Sequence, residues 1–85
     1  MASQTARVGS RVGLHARPAA AIASAVTTAG VPVTIGVAGG DPVDAGSALL
    51  LMTLGAKQGD QVNVTSDDDA VLAEIVRLVE ADLDG

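Results

Sequence analysis

The hydrophobic period of this chain switches repeatedly between two and about 3.6, and it does so within only 85 residues. Val31, Val33, Ile35 and Val37 alternate with Pro32, Thr34 and Gly36, which predicts a half-buried strand with its proline tolerated at the start. Just before it, Ala19, Ile22, Val26 and Ala29 recur at helical spacing from Ala16 onward, and Gly30 supplies a stop. Because Arg17 precedes Pro18, the regular part of this helix is expected to begin only at Pro18. Upstream, Thr5 to Gly9 reads as a short strand and Ser10 to Leu14 as a turn.

Beyond the valine strand, Ala38-Gly39-Gly40-Asp41 reads as a hairpin turn and Pro42 to Ala45 as the returning strand. Ser47 through Leu54 reads as a short apolar helix, with Ser47 as its cap and Gly55 as its terminator. Val62 and Val64 alternate with Gln61, Asn63 and Thr65 in a fourth strand. In a last helix Val71, Leu72, Ile75, Leu78 and Val79 share one face, and Glu74, Arg77 and Glu80 the other. The aspartates Asp67 to Asp69 suit the positive end of that helix, and they lack the spacing and glycine of a calcium loop.

The resulting order, β-α-β-β-α-β-α, runs without linker or repeat and predicts a single domain over residues 1–85. Its class is α+β, with helices packed on one face of a mainly antiparallel sheet. A right-handed crossover between the first two strands leaves a gap for the fourth strand to fill. The apolar fraction, 48%, contains no Phe, Tyr, Trp or Cys, so the core is built from small and branched aliphatic side chains. That composition also removes the aromatic platform of single-strand nucleic-acid binding. Ten acidic residues against five basic ones give a net charge of −5, which repels phosphate backbones and anionic membranes. Without cysteine and with one histidine there is neither a disulfide framework nor a zinc site, and no metal or cofactor is expected. No apolar stretch reaches signal-peptide or membrane-spanning length, so the expected location is the cytoplasm.

The one histidine, His15, lies where the first loop becomes the first helix, within Arg11-Val12-Gly13-Leu14-His15-Ala16-Arg17-Pro18. The opening amides of a helix have no partner within it and, with the helix dipole, form an anion site. Ala16 and Arg17 offer such amides, and Pro18 lacks one where the lack costs nothing. The positive field of that end and of Arg17 disfavours imidazolium, and a neutral imidazole keeps a lone pair that can attack phosphorus. A guanidinium at Arg17 matches the oxygens of a phosphoryl group so acquired. Gly13 gives the loop the freedom to place His15 over the helix end. No carboxylate lies nearby and no Walker-type glycine loop is present, so the segment suits receiving and passing on a phosphoryl group, not activating a nucleotide. The plainer reading is that His15 caps the helix or decorates a loop.

Gly13-Leu14-His15-Ala16-Arg17-Pro18-Ala19 resembles the active-site motif of the HPr family, the histidine-containing phosphocarriers of the bacterial phosphoenolpyruvate-dependent sugar phosphotransferase system. The likeness extends over the chain's length and element order, and Gly46-Ser47-Ala48-Leu49-Leu50-Leu51-Met52-Thr53-Leu54-Gly55-Ala56 is similar to the family's regulatory-serine region. The resemblance implies an open-faced β-sandwich, with a four-stranded antiparallel sheet covered on one face by three helices. It implies that phospho-enzyme I phosphorylates His15 at Nδ1, that Arg17 holds the phosphate, and that IIA domains of sugar permeases receive it. On this reading the protein is a monomeric carrier and not an enzyme. The resemblance also makes Ser47 the position that a regulatory kinase modifies in some bacteria, whereas its residue chemistry makes it a helix cap. Where many members carry lysines, this chain has Ser24, Thr27 and Leu50, which leaves Arg17 and Lys57 to complement acidic partners.

In the short helix, Leu51 and Leu54 align for the core, while Ala48, Leu49 and Met52 fall on another side. Ala20, Leu49, Met52 and Gly55 are therefore expected to ring His15 and Arg17 as a docking surface, with Met52 adaptable enough for several partners. Complete burial of these side chains is the alternative. Two other functions compete with the carrier: a regulatory binding protein controlled at Ser47, and a small ligand-sensing or oligomerisation module. A carrier in a nitrogen-related phosphotransfer chain is a narrower variant of the first reading.

Overall fold

The computed structural model describes residues 2–9, 13–14, 16–37 and 39–81. Four strands, β1 (Ala2–Arg7), β2 (Val33–Val37), β3 (Val43–Asp44) and β4 (Gln61–Ser66), form one antiparallel sheet in the order β1-β4-β2-β3. Three helices, α1 (Ala16–Ala29), α2 (Ala48–Thr53) and α3 (Asp69–Glu80), complete the expected β-α-β-β-α-β-α order. As the crossover argument requires, β4 fills the gap between β1 and β2, pairing Ala6 with Val62 on one side and Ile35 with Val64 on the other.

Period two explains why only one face of the sheet is covered. Ala6, Val33, Ile35, Val62 and Val64 point to the helices and are buried. Their alternates, Ser3, Thr5, Arg7, Gln61 and Asn63, are exposed. On that solvent side the hydroxyls of Ser3 and Thr65 lie 2.9 Å apart, and the Thr5 hydroxyl donates to Asn63 Oδ1 at 3.2 Å. The covered face packs against Ile22 of α1, Leu51 of α2 and Ile75 of α3, each fully buried, and at this burial each contributes roughly 2 kcal/mol of apolar transfer energy.

Several boundaries depart from expectation. The first strand runs from Ala2 to Arg7 and not from Thr5 to Gly9, because pairing with β4 decides its extent and the added residues Ala2, Ser3 and Gln4 carry little strand propensity of their own. Val8 and Gly9 lie beyond it, held by Val8 N–H to Asp60 O and Gly9 N–H to Val79 O, both 3.0 Å. β2 begins at Val33, after a half-buried Val31, and β3 is two residues long. Ala29 is exposed, so the buried stripe of α1 is Pro18, Ala19, Ile22, Ala23 and Val26. In α3 Val76 joins Leu72, Ile75 and Val79 in the core, while Val71 and Leu78 are half-buried at its margin. Within the expected turns, residues 10–12 and Ala38 lie outside the described residues.

The predicted caps are in place. Gly30, with φ +73°, ends α1. Asp68 accepts from the amides of Ala70 and Val71 at 2.9 and 3.1 Å, which is the capping role expected of the aspartate triplet. Ser66, the one buried polar residue among those described, ties three elements together. Its hydroxyl donates to Pro32 O at 3.3 Å and accepts from Asp68 N–H at 3.2 Å.

Candidate functional site

Leu14 and Ala16 bracket the candidate nucleophile; His15 itself lies outside the described residues. Helix α1 starts at Ala16 and not at Pro18, so Arg17 takes helical angles in spite of the proline that follows. The reason is positional. Pro18 is the third helical residue, where an amide hydrogen has no partner within the helix, so the ring removes nothing the helix uses. Pro18 is buried and fixes this turn against the core, while Ala16 and Arg17 are exposed.

The loop ahead of α1 is pinned from a distant part of the chain. Leu14 is buried, and its amide donates to the carbonyl of Ala56 at 3.0 Å. Gly13 adopts φ +79°, and a Cβ placed on it would fall onto the same Ala56 carbonyl and within 3.0 Å of Lys57 Cα. Both the angle and the space therefore call for glycine, which extends the sequence argument: Gly13 supplies close approach as well as backbone freedom. The receiving segment is itself braced. Asp60 Oδ2 accepts from Lys57 N–H at 2.9 Å, and Gln58 Nε2 donates to Gly9 O at 3.3 Å. Sequence reasoning missed Ala56 and Gln58, whose partners Leu14 and Gly9 are remote in sequence and leave no local pattern, and it missed Asp60, whose side chain closes a short turn onto Lys57.

Helix α2, which carries the expected docking residues Leu49 and Met52, packs against α1. Ser47 is its N-cap, with extended angles (φ −115°, ψ 111°) and Oγ accepting from Leu50 N–H at 3.3 Å, and Gly55 follows the helix with φ +65°. Leu51 is completely buried and Leu54 partly, as expected. Ala48 departs from the expectation by packing against the core, since a side chain that small reaches it from the flank of a one-and-a-half-turn helix. The remaining apolar residues project outward. Leu49 is 70% exposed, Leu50 39% and Met52 38%, and Ala20 and Gly55 are exposed as well. Complete burial of this helix is thereby ruled out. Among the described residues Leu49, Leu50 and Met52 are the large hydrophobic side chains left exposed.

Two surface depressions lie elsewhere. One runs between β1 and α3, lined by Gln4, Val76, Arg77 and Glu80, and the other sits beside Val37, Gly59, Asp60 and Gln61. Neither includes Arg17 or the α2 patch. Among the described residues no group of acidic side chains has the arrangement of a metal site, and no helix is long and apolar enough to cross a membrane. Arg17 is exposed in the first turn of α1, and α1 packs against the helix that carries the exposed Leu49 and Met52.

Comparison with known proteins agrees with this geometry. The family model described as the PTS HPr component phosphorylation site matches residues 2–81. The chain is 42% identical over its 85 residues, all of this chain and 91% of the relative, to the phosphocarrier protein HPr of Streptomyces coelicolor. Among solved structures, the phosphocarrier protein HPr from Bacillus anthracis superimposes with a TM-score of 0.84 at 23% identity, over 92% of this chain and 95% of its own. The structure of HPr-C-His from Thermoanaerobacter tengcongensis gives 0.83 at 28% identity, over 94% and 92%.

Proposed function

This chain belongs to the HPr family of phosphocarriers of the phosphotransferase system, and from that premise we propose that His15 is its phosphoryl-accepting residue, with phospho-enzyme I as donor and the IIA domains of sugar permeases as acceptors. The carrier is regenerated by each donation and turns over no substrate of its own. In the first step the Nδ1 lone pair attacks phosphorus, a P–N bond forms, and the bond to enzyme I breaks with its electron pair returning to the donor. In the second step the acceptor's nucleophile attacks, and the electrons of the P–N bond return to the imidazole. Arg17 holds the transferred oxygens, and the opening amides of α1 add partial positive charge.

The observation that carries this reading is the start of α1 at Ala16 with Arg17 exposed in its first turn, directly after His15. Around them, Ala20, Leu49, Met52 and Gly55 serve as the docking margin. The test is incubation with phosphoenolpyruvate and enzyme I, followed by intact mass and lability measurements. One phosphoryl group is expected, acid-labile and alkali-stable, and absent from His15→Ala. Undiminished labelling of His15→Ala refutes the assignment.

Ser47 has a structural role as the α2 cap, and we assign it a regulatory one beside it. A phosphoryl group there keeps oxygens that can accept the Leu50 amide, and it places negative charge beside the exposed Leu49 and Leu50, weakening contact with an acidic partner. Ser47→Asp is the corresponding test, with slower transfer from enzyme I expected at unchanged thermal stability.

A further inference from the structure

Met52 separates two demands that most core methionines combine. It is 38% exposed, and it is absent from the cluster of buried and half-buried side chains that holds α2 to the domain. Leu51, Ala48 and Leu54 do that holding. With Leu49 one turn away at i−3, Met52 instead forms the outward apolar patch beside α1. The chain has no cysteine and only two methionines, so apart from Met1 this thioether is its only sulfur.

We infer that Met52 is a peroxide-modification site that disables partner docking without disturbing the fold, an inference that rests on the phosphocarrier reading above. The oxidant is hydrogen peroxide or an alkyl hydroperoxide. The sulfur lone pair attacks one peroxide oxygen, an S–O bond forms as the O–O bond breaks, and water or an alcohol leaves. Sulfur loses two electrons and the peroxide gains them. The product exchanges a polarizable apolar group for a strongly dipolar sulfoxide within the patch. A partner that closes over Leu49 and Met52 must then bury that dipole without a matched donor, which weakens association by roughly tenfold. Because Leu51 and its neighbours are untouched, stability is unchanged.

The experiment uses the full chain with enzyme I and phosphoenolpyruvate. Protein is treated with dilute hydrogen peroxide, Met52 sulfoxide is verified by peptide mass, and transfer from phospho-enzyme I is measured against carrier concentration, alongside thermal unfolding by circular dichroism. Expected are a KM raised by about tenfold, an unchanged unfolding midpoint and reversal by methionine sulfoxide reductase. Met52→Leu, compared with itself before and after peroxide, shows no change in KM, and Met52→Gln reproduces the raised KM without peroxide. An unaltered KM in the oxidised protein overturns the inference, as does an equal rise in treated Met52→Leu or a lowered midpoint. If the untreated protein accepts no phosphoryl group, the phosphocarrier reading fails first and this one with it.

Discussion

Gly13→Ala separates what the loop before α1 needs from its backbone angle and what it needs from space. At φ +79° an alanine costs about 1–2 kcal/mol relative to a right-handed conformation. The new methyl also falls onto the Ala56 carbonyl, backbone that the Leu14 amide already occupies at 3.0 Å. Either that hydrogen bond or the position of the loop must give way, for about a further 1 kcal/mol. The total is about 2–3 kcal/mol. Gly30→Ala is the control, because φ is +73° there and nothing lies within 4 Å of the added carbon, so only the angle is penalised. With no aromatic residue in the chain, unfolding is followed by far-ultraviolet circular dichroism. For a domain of this length Gly30→Ala should lower the midpoint by roughly 4–10 °C and Gly13→Ala by roughly 10–20 °C. At a temperature where Gly13→Ala remains folded, its phosphotransfer should also fall by about tenfold or more, since displaced reacting groups lose much of their proximity advantage. Equal midpoints for the two variants would refute the claim that Ala56 excludes a side chain at position 13.

Four further outcomes follow from the same geometry. Leu51→Ala should cost about 2–5 kcal/mol in urea titrations, whereas Leu49→Ala, at a site 70% exposed, should cost under about 0.5 kcal/mol. Ser47→Ala removes the α2 cap and should destabilise by roughly 0.5–1 kcal/mol, with Ser47→Asp retaining most of that stability. Leu49→Asp combined with Met52→Asp should slow transfer from enzyme I while leaving the unfolding midpoint in place; unchanged transfer would remove these residues from the docking margin. Arg17→Lys keeps the charge but loses the planar pair of donors, so steady-state labelling should fall by about tenfold, and labelling equal to wild type would exclude a bidentate role.

Strong periodicity made α1, α3, β2 and β4 legible, and local chemistry made Ser47, the Asp67 to Asp69 triplet and Gly30 legible at helix ends, with the structure assigning the cap to Asp68. Each of those assignments depends on residues a few positions apart. What stayed hidden depends on distant partners. β1 opens with Ala2, Ser3 and Gln4 in place of strand formers and is defined by its pairing with β4. The start of α1 was misplaced because a local restriction on the residue before proline gave way in a first helical turn, fixed on one side by buried Pro18 and on the other by Leu14 bonded to Ala56. In α2, six residues are too few for a period to assign both flanks, and Ala48 turned inward. Near the proposed site, the exposure of Arg17 in a helix start followed from adjacent residues, while the anchoring of Leu14 by Ala56 and of Gly9 by Gln58 did not.

The central place of β4 has a consequence for how the protein comes into being. A ribosome delivers β1 first, yet the neighbour of β1 in the sheet is a strand some sixty residues later, and Ser3 meets Thr65 only when both have emerged. Until then the nascent chain has the β2–β3 hairpin and the α1–α2 contact to form, without the central strand that joins the sheet. Loop closure over some sixty residues must precede the β1–β4 pairing, whereas β2 can pair with β3 and β4 across much shorter separations, so β1 is the strand whose docking carries the largest closure cost. The Ala56 carbonyl that holds Leu14 likewise follows it by some forty residues, so Leu14 gains that anchor only after the middle of the domain has emerged.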